Sequence, residues 1–442
     1  MKRIYGRYAY GAGPRTGCWW DETAAPVSRP PLTGAERCDV AIIGAGFTGL
    51  SAALHLARAG LSVIVLEAER VGWGASGRNG GFCTLGGAKA SDKAIERRYG
   101  VEGCDDWHRA EIAAVTLAAG LIEELGLDVD RHSRGETKLA HRPSDFEDMK
   151  AEAEVIRARR GLEVTLTEAR DLAAQGLNGP FHGAMTVNAG FALNPRKYVD
   201  GLARGAEAAG ALICDGSPVI GMTRERGTRM LRTPQGLVRA ARVIVATNGY
   251  SSDDLPGWLS DRYIPTQSSV MVTRPMSEAE IAAQGWSSDQ MSYDSRHLLH
   301  YFRLMPDRRF LIGMRGGLVS SAASEAATRR KVRRDFERMF PAWAHVESQH
   351  HWSGFVCISR RGTPFVGEVP GGDGLFAGLC YHGNGVAMGS YAGAVLADLV
   401  AHGKTGRVYP ALMRDPLARF GLGALRRLVM PPAYAHFWWQ DR

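Results

Sequence analysis

CDVAIIGAGFTGLSAALHLARAGLSVIVLEA, residues 38–68, decides the fold class. Val40 to Ile43 form a short continuous apolar run, the pattern of a strand buried on both faces. Gly44, Gly46 and Gly49 follow in G-x-G-x-x-G spacing, then an amphipathic segment of helical period, then a second apolar run that ends on Glu67. Each part has a physical job. Gly44 permits a tight turn, Gly46 lets a pyrophosphate touch bare backbone, and Gly49 lets helix and strand pack closely. The helix N-terminus, at Phe47 and Thr48, supplies oriented N–H donors and the positive end of a dipole. Glu67, with Ala68 beside it, stands where an acid accepts from ribose hydroxyls, which favours FAD or NAD over NADP.

The next stretch separates those two. VGWGASGRNGGF, residues 71–82, packs five glycines around one Ser, one Arg and one Asn. A nicotinamide enzyme would continue into an ordinary strand–helix unit. A second bare loop so soon after the acid suits a longer ligand whose far half also lies against backbone. With its GASGRNGG order, this stretch resembles the FAD-dependent D-amino-acid oxidase and glycine oxidase superfamily, most closely its γ-glutamylputrescine oxidoreductase-like branch. The resemblance runs from CWWDETA at residue 18 through nearly the whole chain, including the tail GALRRLVMPPAYAHFWWQDR. It implies that Gly74, Ala75, Ser76, Arg78, Asn79, Gly80 and Gly81 lie along the pyrophosphate, ribityl chain and ring edge of FAD, with Arg78 and Asn79 as polar tuners. It also implies a backbone contact to adenine near Val219 and a third parallel strand that ends in Ala246 and Thr247 of ATNGY. In GLFAGLCYHGNGVAMGSYAGAVLADLV, residues 374–400, Gly383, Asn384, Gly385, Val386 and Ala387 would bring a helix N-terminus to the pyrimidine end of the flavin. A positive dipole there stabilises charge that develops on reduction.

The fold expected is α/β: a doubly wound Rossmann-like FAD domain assembled from residues 37–88, 183–250 and 352–402. A discontinuous antiparallel-sheet substrate domain with helices takes residues 89–182 and 251–351, and residues 1–36 and 403–442 are terminal extensions. The length of 442 residues suits two domains. Lys and Arg exceed Asp and Glu to give a net charge of +8, but they are scattered, with no basic block interleaved with aromatics, so nucleic acid is not an expected partner. The seven cysteines form no CxxC pair, so neither a disulfide framework nor a metal site is expected. No apolar run reaches the roughly 18 residues of a membrane span, so no stable membrane insertion is expected and a cytoplasmic location is.

The chemistry implied is hydride removal from the carbon beside an amine nitrogen, giving an imine that water hydrolyses to an aldehyde or keto acid. Tyr381 and His382 would sit near the ring, as packing or as substrate contacts, and Trp73 would wall the pocket. Relatives that hold an amino-acid carboxylate with a Lys after the late glycine turn have about Ala387 in that place here. The strand RFLIGMRGG, residues 309–317, lacks the Lys associated with rapid use of oxygen. Oxidase and dehydrogenase therefore both stand, as does a tRNA-modifying flavin oxidase or an electron-passing subunit. Flavin attachment to Cys357 is the minor alternative to non-covalent FAD, since an unpaired Cys is usually core. In residues 294–317 Arg296, His297, His300, Tyr301, Arg303 and Arg315 crowd together, and strand alternation puts about half on one face. Arg303 and Arg315 are the expected receivers of a remote anionic group, because a guanidinium binds two oxygens at once.

Overall fold

The computed structural model describes residues Met1–Arg442. Nine α-helices accompany its strands: α1 (Phe47–Arg58), α2 (Asp92–Glu124), α3 (Pro143–Arg160), α4 (Pro195–Ala208), α5 (Glu278–Gln284), α6 (Ala322–Met339), α7 (Ala387–His402), α8 (Ala411–Arg414) and α9 (Met430–Gln440). Eighteen strands form two large sheets and one small pair. The pair joins β3 (Phe82–Cys83) to β7 (Phe191–Ala192).

The first large sheet is built on β1 (Gly34–Ile43), whose last four residues are buried. Parallel to β1 run β2 (Val63–Leu66) on one side and β11 (Gly236–Val245) on the other, extended by β8 (Leu212–Cys214) and β18 (Leu375–Leu379). The antiparallel edge is β17 (Phe365–Glu368), and the hairpin β9 (Gly221–Glu225) and β10 (Thr228–Arg232) hangs from β11. Helices cover the sheet, so its central strands read as unbroken apolar runs. α1 and α7 lie so close that a Cβ on Gly393 would stand 2.4 Å from the Thr48 carbonyl oxygen.

The second sheet has the order β16 (Ser348–Ser359), β12 (Tyr263–Thr273), β15 (Phe310–Arg315), β14 (His300–Leu304), β13 (Met291–Asp294), β4 (Glu136–Leu139), β6 (Gly183–Val187), β5 (Val164–Glu168). All neighbours are antiparallel except β13 and β4. Behind it Trp286, Phe302, Phe310, Phe336, Phe340 and Trp343 fill a dry aromatic core.

Two boundaries differ from the sequence expectation. β6, at 183–187, hydrogen-bonds to β4 and β5 in the second sheet rather than opening the second FAD segment. β16 pairs with β12 along almost its whole length, so residues 352–359 also belong to the second sheet. An apolar strand shows in sequence that it is buried, not which sheet supplies its partners. The N-terminal extension is also part of the architecture: the Trp20 indole N–H donates to the Asn79 carbonyl at 2.8 Å, and Arg15 donates to the Trp73 carbonyl at 2.7 Å.

Candidate active site

A cavity of about 510 Å³ runs from the C-terminal ends of β1 and β2 to the inner face of the second sheet. At its nucleotide end the chain turns on Gly44, whose φ of +104° favours glycine. Gly49 is in α1, where a Cβ would stand 2.0 Å from the Gly44 carbonyl oxygen. Gly49 thus holds helix to turn, as expected, from outside the cavity wall. The N-cap, Gly46, makes no side-chain cap, and the Phe47 N–H is met at 3.0 Å by the Ser76 hydroxyl of the second glycine loop. The two loops are therefore one structure. Glu67 is buried beneath the turn and accepts from the Ala45 N–H at 2.8 Å and the Glu69 N–H at 3.1 Å. Burial pushes its carboxyl up to about 7. Ala68, Val219, Ala246 and Thr247 complete this end.

Farther in, Gly74, Ala75, Ser76, Arg78, Asn79 and Gly80 line one wall with Trp73. Arg78 is 2% exposed. Its guanidinium donates to the carbonyls of Trp73 at 2.8 Å and Ser353 at 3.2 Å, while Nη2 has no partner. The guanidinium also lies over the Trp73 and Tyr250 rings, 5.4 Å from each centroid. Asn79 differs from expectation. Its amide donates to Ala75 and Ser76 carbonyls and accepts from the Gly81 N–H at 2.8 Å, so the side chain shapes the loop. Gly81 lies behind the wall, with the Leu193 carbonyl oxygen 2.0 Å from where its Cβ would be.

The opposite wall is the turn before α7. Gly383, Asn384, Gly385 and Val386 line the cavity, and the N-cap Val386 makes no side-chain cap, which leaves the first N–H groups of the helix for a ligand. Ala387 falls within the core beneath them. Tyr381 reaches the cavity but its hydroxyl is committed to Thr48 at 2.9 Å. His382, at a φ of +54°, meets the Ser359 hydroxyl at 3.3 Å and leaves Nδ1 without a partner. Burial, then the charges of Arg315 and Lys89, push its pKa down to about 3, so its imidazole is neutral. Cys357 touches the cavity by position, but its sulfur lies 3.5 Å from that of Cys380 in the core.

The second sheet forms the floor. Strand alternation presents Glu136, Val187, Tyr293, Tyr301, Arg315 and Val270 to the cavity. The Tyr301 ring packs against Gly80, and its hydroxyl pairs with Ser268 at 3.0 Å. Arg315 stands beside the late turn, 3.7 Å from the Cβ position of Gly383. Arg303 does not join it. That side chain is 1% exposed, donates to the Leu193 carbonyl at 2.8 Å and contacts His132 at 3.1 Å, so it braces the wall from behind. The rest of the basic cluster is also spent: His300 is clamped between Asp294 and Asp335, Arg296 pairs with Asp294, and His297 with Asp441. Sequence reasoning missed Lys89, a lone Lys between loop and helix. Its amine lines the cavity, and burial followed by the charge of Arg315 lowers its pKa to about 8.

A family model described as DAO, FAD dependent oxidoreductase, matches residues 39–399. The chain belongs to the DAO family. A probable oxidoreductase OrdL of Rhizobium meliloti strain 1021 is 31% identical over 385 residues, 86% of this chain and 87% of the relative. Gamma-glutamylputrescine oxidoreductase of Escherichia coli K12 is 29% identical over 84% of this chain and 85% of its own. Glycine oxidase from Geobacillus kaustophilus superimposes with a TM-score of 0.69 at 21% identity, covering 87% of this chain and all of that structure, which shows the shared fold. This DAO-family chain is thus an FAD-dependent oxidoreductase. No helix is long and apolar enough to cross a membrane.

Proposed function

We propose that the substrate is a primary or secondary amine with a remote anionic group, of the γ-glutamyl amine, ω-amino acid or aminophosphonate type. Two cations in the cavity, Arg315 and Lys89, have no carboxylate partner, and that observation carries the reading. Unpaired cations in a partly enclosed site draw an anionic ligand, and the guanidinium fork suits carboxylate or phosphonate oxygens. Bound FAD supplies the hydride acceptor. The protein's part is orientation. The anion is held by Arg315 and Lys89 beside the late turn, and the Tyr301 ring and Trp73 limit the amine's approach. Hydrolysis of the resulting imine gives an aldehyde or keto acid. Oxygen is the proposed acceptor of the electrons.

Arg315→Met tests this directly. For an anionic amine KM rises about 10- to 100-fold, the weight of one charge-assisted contact, while kcat changes little. An uncharged amine of equal length shows no such rise. Equal KM values for wild type and variant on the anionic amine would refute the assignment.

A further inference from the structure

The cavity also carries a carboxylate that nothing in the protein balances. Glu136 is on β4, on the face shared with Val187, Tyr293 and Tyr301, while Thr137 points to the other side and bonds Thr186. One Glu136 oxygen accepts from the Thr84 hydroxyl at 2.7 Å, and the carboxylate has no ion pair. Of the other acids of the cavity, Glu69 is exposed to solvent. Glu111 pairs with Arg160 at 3.1 Å, Glu152 with Lys138 at 2.7 Å, and Glu67 accepts two backbone N–H groups. Lys138, two residues along the same strand, is turned to Glu152 of α3 rather than to Glu136. From β13 Tyr293 faces Glu136, and its hydroxyl stays protonated. Lys89 projects from the 84–89 loop and Arg315 from β15, without an ion pair to Glu136.

β4 is two strands from β14, so Glu136 lies on the order of 10 Å along the sheet from Tyr301, which walls the ring side. It is therefore far from the reacting carbon but within the same cavity. A half-enclosed carboxylate with one hydroxyl partner is completed by a cationic donor, and an ammonium brings three N–H groups to it.

We infer that Glu136 is a specificity-determining residue that holds a second, non-reacting ammonium group of the substrate. The substrate class is then an amine whose chain carries another cationic nitrogen on the order of 10 Å from the carbon oxidised. This rests on the reading of the cavity as an amine-oxidising site. Burial pushes the Glu136 carboxyl up to about 7, so an ammonium that selects the carboxylate releases a proton when it binds near that pH.

The test uses the FAD-loaded full chain with linear diamines of increasing length, each against the n-alkylamine of equal chain length. In wild type, kcat/KM for the best diamine exceeds that of its alkylamine about 10- to 100-fold. Glu136→Gln brings the ratio close to one and leaves the alkylamine value unchanged. The diamine's kcat/KM also loses its rise with pH near 7, while Glu136→Asp keeps part of both. A ratio preserved in Glu136→Gln overturns the inference, and so does an equal fall in kcat for both amines, which would make Glu136 act on the reacting nitrogen. Should the variants not fold, calorimetry on wild type with prereduced flavin, in buffers of different ionisation enthalpy at pH about 7, reads proton release directly. Release with the diamine and none with the alkylamine is expected, and equal values overturn it. If wild type oxidises neither of these while amines with a remote anionic group still bleach the flavin, the inference fails, and if no amine bleaches it, the amine reading of the cavity fails.

Discussion

Arg78→Met tests whether the GASGRNGG loop is a cofactor cradle or only a tight turn. The native guanidinium is buried and meets two carbonyl oxygens, with Nη2 unpartnered and no ion pair. If that nitrogen serves FAD, its loss removes one charge-assisted hydrogen bond, about 2 kcal/mol, and weakens FAD binding about 30-fold. With free FAD at about 100 times the wild-type Kd, stabilisation by the ligand falls from about 2.7 to about 0.9 kcal/mol. For a chain of 442 residues this is roughly 2 °C less FAD-induced rise in Tm. In the apoprotein two effects oppose each other. Removing an unbalanced buried charge stabilises, and leaving the Trp73 and Ser353 carbonyls unmet destabilises. The assay is FAD titration by fluorescence quenching, with melting curves of both forms. An unchanged Kd with equal losses of Tm in both forms would refute the reasoning and leave Arg78 as a strut.

Three further outcomes follow from the same geometry. Gly49→Ala puts a Cβ against the Gly44 carbonyl, forces α1 away from the turn, costs about 1–3 kcal/mol and lowers FAD retention on gel filtration; wild-type retention and melting would contradict it. Arg303→Met lowers stability through the unmet Leu193 carbonyl but leaves KM for anionic amines unchanged, and a KM rise like that of Arg315→Met would return Arg303 to the site. Lys89, with its pKa lowered to about 8, is charged below that pH and neutral above it, so KM for an anionic amine rises as pH climbs through about 8. Lys89→Met removes that pH dependence, and a profile unaltered by the substitution would exclude the role.

The end of the cavity at the two glycine loops was legible because bare backbone forms it. Bare backbone needs glycines, and Gly44, Gly46, Gly383 and Gly385 announce themselves by spacing. The uncapped start of α7 follows from the glycine turn in the same way. The substrate half was less legible because side chains from separate strands build it. Alternation told that some of Tyr301, Arg303 and Arg315 share a face, but not that Leu193 and His132 occupy Arg303 while Arg315 is left free. Lys89 belongs to no periodic pattern. Glu136 stands on a four-residue strand, ETKL, between the long helices α2 and α3, and only its pairing with β6 and β13 places it in the floor. Ala387 was misplaced by one turn position: the loop's spacing marks where α7 begins, and packing decides which residues of its first turn face inward.

In the reading proposed above, the cavity between VGWGASGRNGGF and HGNGVAMG holds an FAD ring against an amine. Anaerobic mixing of the purified FAD-loaded protein with amines that carry a remote anionic group, followed in the visible flavin band, tests it most directly. Bleaching by these amines is expected, with slower or absent bleaching by uncharged amines of equal length and return of the colour when air is admitted. A protein that binds FAD and keeps its full colour across the amine panel would contradict it.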